Sequence, residues 1–142
     1  MSLSYWPRNQ VQLNEPNLPA WSSRVRREIT RAAGNVHLAA HSFGALAAVQ
    51  AASDHECRIA GALFVAPADP EGFGVSEYLP QSALDFPAIV VASTNDPWMA
   101  IDRAAAWARV WGAEFINIGE AGHINAEAGF GPWPKALELL EL

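Results

Sequence analysis

The sequence is poor in cysteine, in long hydrophobic runs and in basic charge, and each shortage excludes a class of protein. Its 142 residues include one cysteine, so an internal disulfide is excluded, which suits a reducing compartment. There is no apolar run of about 18 residues, and a membrane-spanning helix is therefore not expected. The N-terminus lacks the charged-then-apolar layout of a signal peptide, so we expect a cytoplasmic protein.

The charge balance and the missing motifs also argue against several binding functions. Nine basic residues against 15 acidic ones give a formal net charge of −6, which argues against nucleic-acid binding. The arginines near the N-terminus are interpreted as the solvated face of a helix. The chain carries no glycine-rich nucleotide motif, and its histidines and cysteine show no metal-ligand spacing. We therefore predict neither a cofactor nor a metal.

The most informative stretch is a strand, a turn and a helix within residues 36–52. A short apolar run ends at Ala40, the residues His-Ser-Phe-Gly form a turn around Ser42, and an alanine-rich run then predicts a buried helix. A serine on such a turn is typical of the nucleophile elbow of α/β-hydrolases, whose pattern is G-x-S-x-G. Because Ala40 replaces the first glycine, an ordinary turn serine stays open as the alternative.

Strand-like and helix-like segments alternate along the chain. Strands are expected at residues 9–13, 36–40, 59–66, 88–92 and 115–118. Helices are expected at residues 21–32, 45–52 and 99–110, and from Pro134 onwards. We therefore predict one α/β domain over residues 1–142, with a doubly wound, mostly parallel sheet of about five strands and helices on both faces. The proline-rich segment 67–87 is expected to form a functional loop or lid, or else a short helix over 78–84.

Three residues that can carry chemistry follow the ends of predicted parallel strands. Ser42 follows the strand at 36–40, Asp96 the strand at 88–92, and His123 the last strand. Ligands of open α/β sheets bind beyond the carboxyl ends of the strands, so we expect these side chains to converge. A histidine can take the proton of a serine hydroxyl, and an aspartate can fix the tautomer of that histidine. The chain order of serine, aspartate and histidine is that of α/β-hydrolase triads.

Other assignments stay open at this point. Asp96 could simply cap the following helix, and Asp69, which follows the preceding strand, is a rival acid. His123 could be a loop histidine satisfied by backbone groups. We interpret His41 as a packing or positioning residue, because its side chain should point away from the neighbouring Ser42.

Four stretches resemble the small serine hydrolases related to retinoblastoma-binding protein 9, a branch of the α/β-hydrolase superfamily. They are Ala-His-Ser-Phe-Gly (40–44), Val-Ala-Pro (65–67), Ser-Thr-Asn-Asp-Pro-Trp (93–98) and Ala-Gly-His-Ile-Asn-Ala-Glu-Ala-Gly-Phe-Gly-Pro-Trp-Pro (121–134). The resemblance implies that Ser42 is the nucleophile, Asp96 the acid and His123 the base of a compact hydrolase. It also implies small esters or amides as substrates.

Two further roles follow from this interpretation. The backbone N–H of Phe43 is expected to donate a hydrogen bond to the oxyanion that forms during acyl transfer. Aromatic side chains are expected to shape a small apolar substrate pocket, and the candidates are Phe43, Trp98, Phe130 and Trp133.

The resemblance also implies an additional strand, loop and helix ahead of residues 5–13, which this sequence lacks. Its absence would expose the edge of the strand at 36–40, and exposed apolar edges invite pairing. We therefore expect residues 9–13 or a second copy in a homodimer to cover that edge, and weak or no hydrolysis. The alternatives to an active hydrolase are a non-catalytic interaction domain and an inactive, incomplete copy.

Overall fold

The computed structural model of the chain describes residues 17–32, 34–53 and 58–124. Helices and strands alternate through these segments. The helices are α1 (Leu18–Arg31), α2 (Phe43–Ala52) and α3 (Ile101–Val110). The strands are β1 (Val36–His41), β2 (Ile59–Val65), β3 (Ala88–Ala92) and β4 (Glu114–Asn117). Every strand and helix predicted inside the described segments is present.

The four strands form one sheet in the order β1-β2-β3-β4, and all three neighbouring pairs are parallel. The prediction of an α/β fold built on a parallel sheet is therefore confirmed. The strand predicted at 9–13 and the helix predicted from Pro134 lie outside the described residues. In a parallel sheet the carboxyl ends of all strands meet at one edge, so the loops that follow β1 to β4 lie along the same edge.

Alternate strand residues divide the core between the two faces of the sheet. On one face Phe64 and Val90 pack with Leu46 of α2 and with Trp111, which directly follows α3. On the opposite face Leu63, Val65, Ile89 and Val91 pack with Ala121 and Ile124. Burying one such aliphatic side chain contributes about 1.5–3 kcal/mol. The segment around His123 is thus fastened to the sheet by its apolar neighbours.

The segment 67–87 is an irregular loop packed onto the core. It contains a single 3₁₀ turn at Ser76–Tyr78, so the alternative of a short helix over 78–84 is wrong. Leu79 is buried, and Pro80 accepts a hydrogen bond of 3.1 Å from the indole N–H of Trp111. A helix is disfavoured here because proline lacks the N–H that a helix interior needs.

Candidate active site

Ser42 occupies a strained turn between β1 and α2. Its φ of 58° and ψ of −129° are rare for a residue with a side chain and fit a nucleophile elbow. Its N–H donates to the carbonyl of Val65 at 3.1 Å, and its carbonyl accepts from the N–H groups of Ala45 and Ala68 at 3.0 and 3.1 Å. These three bonds hold the strained backbone in place and fix where the hydroxyl lies.

Phe43 is the first residue of α2, and its side chain belongs to the core. Phe43 is 6 % exposed, and the centre of its ring lies 5.1 Å from that of Trp21 and 5.0 Å from that of Phe73. This burial argues against the expectation that the ring of Phe43 lines an open substrate pocket. Its N–H belongs to the first turn of a helix, where amide groups have no partner within the helix and can bind an anion.

Asp96 follows β3 and points at His123. One carboxylate oxygen lies 2.9 Å and the other 3.1 Å from Nδ1 of His123. The N–H of Trp98 donates to the same carboxylate at 2.9 Å, and the side chain of Asp96 is 2 % exposed. The alternative that Asp96 caps α3 is wrong, because Ala100 occupies the cap position without a side-chain hydrogen bond.

His123 joins the serine to this carboxylate. Its Nε2 lies 2.9 Å from Oγ of Ser42, and its side chain is 13 % exposed. A carboxylate can only accept hydrogen bonds, so the proton of the neutral imidazole belongs on Nδ1, facing Asp96. Nε2 is then free to accept the proton of the Ser42 hydroxyl. The structure thus brings together the three predicted residues in one continuous hydrogen-bonded chain.

The rival acid, Asp69, is bound by a cation instead. Arg103 donates from Nε and from a terminal nitrogen to its two carboxylate oxygens, at 2.9 and 2.7 Å, and lies 2.8 Å from Glu71. Burial raises the pKa of Asp69, but the hydrogen bonds from Arg103 and from backbone N–H groups outweigh it and lower the pKa below its ordinary value. Asp96, and not Asp69, is the carboxylate that contacts His123.

Two residues that the sequence analysis did not single out hold the loop that carries His123. The N–H of Gly122 donates to Oδ1 of Asn95 at 2.8 Å, and the hydroxyl of the fully buried Ser93 donates to the carbonyl of Gly122. Both residues lie just ahead of Asp96. The only signal in the sequence is their place directly after a predicted strand, in the same stretch as the acid.

His41 reaches the histidine loop from the other side. Its Nε2 lies 2.8 Å from the carbonyl oxygen of His123, and the two imidazole rings are 4.7 Å apart. Burial is the main cause that lowers the pKa of His41 below its ordinary value. The side chain of His41 therefore contacts the backbone of His123, the predicted base. Ser42 lies on the turn that follows β1.

Among the other predicted site residues, Trp98 is 70 % exposed on the loop that carries Asp96. Phe130 and Trp133 lie outside the described residues, as do Cys57 and residues 9–13. In the part of the chain that the structure describes, no group of three or more His, Cys, Asp or Glu side chains could hold a metal ion. None of the described helices is long and apolar enough to cross a membrane.

Comparisons with known proteins identify a family. The sequence model of the serine hydrolase family matches residues 4–142. No curated protein matches the chain significantly. The narrower resemblance to proteins related to retinoblastoma-binding protein 9 is not tested by these comparisons and stays a prediction.

Solved structures show the same fold. A candidate YdeN-like hydrolase from Pectobacterium atrosepticum is 45 % identical, with a TM-score of 0.83 over 87 % of this chain and 67 % of that protein. The ydeN gene product of B. subtilis is 22 % identical, with a TM-score of 0.73 over 94 % of this chain and 77 % of that protein. A candidate α/β-superfamily hydrolase from Xanthomonas campestris is 22 % identical, with a TM-score of 0.58 over 88 % and 68 % of the two chains.

Proposed function

Because this chain belongs to the serine hydrolase family, we propose that it cleaves small esters or amides through Ser42, His123 and Asp96 by way of an acyl-enzyme. The observation that carries the proposal is the continuous chain of hydrogen bonds from Oγ of Ser42 through both nitrogens of His123 to the carboxylate of Asp96. A serine hydroxyl is a weak nucleophile until a base accepts its proton, and this chain supplies the base and orients it.

The first half of the reaction forms the acyl-enzyme. Oγ of Ser42 attacks the substrate carbonyl carbon while Nε2 of His123 takes the hydroxyl proton. Asp96 stabilises the resulting imidazolium. The oxyanion of the tetrahedral intermediate accepts a hydrogen bond from the N–H of Phe43. When the intermediate collapses, the bond to the leaving group breaks, and His123 returns the proton to the departing alcohol or amine.

The second half releases the acid. A water molecule gives its proton to Nε2 of His123 and attacks the acyl carbon. The ester bond to Oγ of Ser42 then breaks, and Ser42 recovers its proton from His123. The fixed backbone of the elbow and the N-terminus of α2 stay in place through both steps. Their dipoles are therefore already oriented toward the charge that develops, which is the usual source of the largest stabilisation in such sites.

The exposed side chain of Trp98 supports the expectation that the substrate carries an apolar group. It follows Asp96 closely and is 70 % exposed, so it offers apolar surface beside the acid loop without disturbing the core. Small-molecule sites are lined mostly by apolar and aromatic side chains around a few convergent polar groups. We therefore expect short acyl esters with an aromatic leaving group to be turned over.

Turnover of p-nitrophenyl acetate and p-nitrophenyl butyrate tests this proposal. Ser42→Ala should reduce hydrolysis to the level of the buffer, because the nucleophile is lost. Ser82→Ala removes an exposed serine of the 67–87 loop and should hydrolyse both esters at the rate of the parent chain. Circular dichroism checks that both variants fold. Equal turnover by Ser42→Ala and the parent chain would refute the proposal, and a folded parent chain without esterase activity would favour a non-catalytic role.

A further inference from the structure

We infer that His41 is a positioning residue, which holds the backbone of His123 so that its imidazole stays in register with Ser42. The inference rests on the proposed triad. His41 directly precedes Ser42, and its Nε2 lies 2.8 Å from the carbonyl oxygen of His123. Nε2 of His123 in turn lies 2.9 Å from Oγ of Ser42. The two hydrogen bonds and the peptide that joins His41 to Ser42 close a ring that includes both the nucleophile and its base.

The histidine loop has other backbone groups that side chains bind. Ser93 and Asn95 already hold the carbonyl and the N–H of Gly122, on the N-terminal side of His123. On the C-terminal side Ile124 has a φ of 51°, an outlier for a β-branched residue. The peptide between His123 and Ile124 is thus turned into an unusual orientation. The backbone of His41 is regular strand, since His41 is the last residue of β1 and pairs with Val65.

The chemistry of the two groups fixes which of them donates. A carbonyl oxygen only accepts, so Nε2 of His41 must carry a hydrogen. The neutral imidazole is sufficient for this, and burial lowers the pKa of His41, which favours that neutral form. A neutral partner also places no positive charge beside the imidazolium that forms on His123 during catalysis, 4.7 Å away between ring centres.

Loss of this bond should affect the chemical step more than substrate binding. Misplacing a catalytic group by 1 Å can cost about 100-fold in rate. In His41→Leu the carbonyl loses its donor, and we expect kcat for p-nitrophenyl acetate to fall by about 10- to 100-fold with little change in KM. His41→Gln keeps an N–H donor at a similar reach from the backbone, so it should restore kcat to within a few-fold of the parent value.

Two further variants separate positioning from general damage. His37→Leu makes the same change on the same face of the same strand. We expect it to leave kcat unchanged. His41→Ala removes the donor without adding bulk and should lose kcat as His41→Leu does. Equal kcat in the parent chain, His41→Leu and His41→Ala would overturn the inference, as would a loss that His41→Gln fails to restore.

Proton NMR gives a readout that does not depend on activity. The proton on Nδ1 of His123, shared with Asp96, should give a low-field resonance in the parent chain, His37→Leu and His41→Gln. It should broaden or disappear in His41→Leu and His41→Ala, because the backbone that carries the imidazole of His123 has lost its hydrogen bond from His41. An unchanged resonance in those two variants would overturn the inference. Absence of esterase activity in a parent chain that shows the resonance would count against the proposed function alone.

Discussion

The loops after β2 and β3 each place an aspartate at the fourth residue beyond the strand, yet the two carboxylates have different partners. Asp69 is held by the guanidinium of Arg103 with bonds of 2.9 and 2.7 Å. Asp96 contacts the imidazole of His123 at 2.9 Å. The two aspartates therefore occupy equivalent positions at the sheet edge. The side chain that each one contacts decides what it can do.

The two partners differ in chemistry as well as in place. Arg103 is a permanent cation that donates to both oxygens of Asp69, which ties that carboxylate to α3 instead of to a histidine. The Asp69 side chain is 22 % exposed and that of Arg103 36 %, whereas the side chain of Asp96 is 2 % exposed. One aspartate fastens a loop near the surface to α3. The other lies in a secluded place where a hydrogen bond to a developing imidazolium is strongest.

Replacing each carboxylate by an amide should give the largest difference in kcat between the two aspartates. Asp96→Asn should lower kcat for p-nitrophenyl acetate by about 10⁴-fold, because the amide can hold the wrong tautomer of the imidazole. Asp69→Asn should leave kcat within a few-fold of the parent value. The two variants differ by the same atoms, so each is the control for the other. Comparable losses in both would show that the two aspartates are not distinguished in this way.

Lowering the pH should reveal a small contribution of Asp69 to the free energy of unfolding. Its folded pKa lies below the ordinary value, so the stability that this carboxylate adds is present above about pH 4 and is lost as pH falls through the folded value. Urea unfolding should find Asp69→Asn less stable than the parent chain by up to about 1 kcal/mol at pH 7, after allowing for solvent screening of a partly exposed pair.

The same measurement at low pH supplies the check. The difference between Asp69→Asn and the parent chain should shrink as the pH falls through the lowered folded pKa of Asp69, because the carboxyl is protonated in both states below it. Arg103→Met removes the cation that pairs with both Asp69 and Glu71, so it should lose at least as much stability at pH 7 and likewise converge with the parent chain in acid. A difference that stays constant with pH would mean that the ion pair does not contribute.

Much of the fold could be predicted from the sequence, because unbroken apolar runs mark the buried strands β2 and β3, and helix-like segments follow β1 and β3. The elbow at Ser42 could be found in the same way, from a strand, a turn and a helix in succession. The choice between Asp69 and Asp96 could not be made from position, since it depends on where the side chain of Arg103 lies. That contact joins residues 34 positions apart along the chain.

The side chains that hold the histidine loop could not be predicted from local sequence patterns either. Ser93 and Asn95 hold backbone groups of Gly122 from 29 and 27 positions away. The bond from His41 to the carbonyl of His123 spans 82 positions. Backbone acceptors carry no residue-specific pattern, so only the folded chain shows which side chains meet them. Hydrophobic periodicity predicted the strands, and the strand ends predicted the three triad residues. The side chains that hold the histidine loop could be identified only from the tertiary structure.

Reaction of the parent chain with a fluorophosphonate, followed by mass spectrometry of the digested protein, tests the central claim most directly. Such reagents phosphonylate a serine whose proton a neighbouring base can take. The account predicts one adduct per chain, located on Ser42, absent in Ser42→Ala and formed at close to the parent rate in Asp69→Asn. A folded parent chain without an adduct, or with the adduct on another serine, would contradict it.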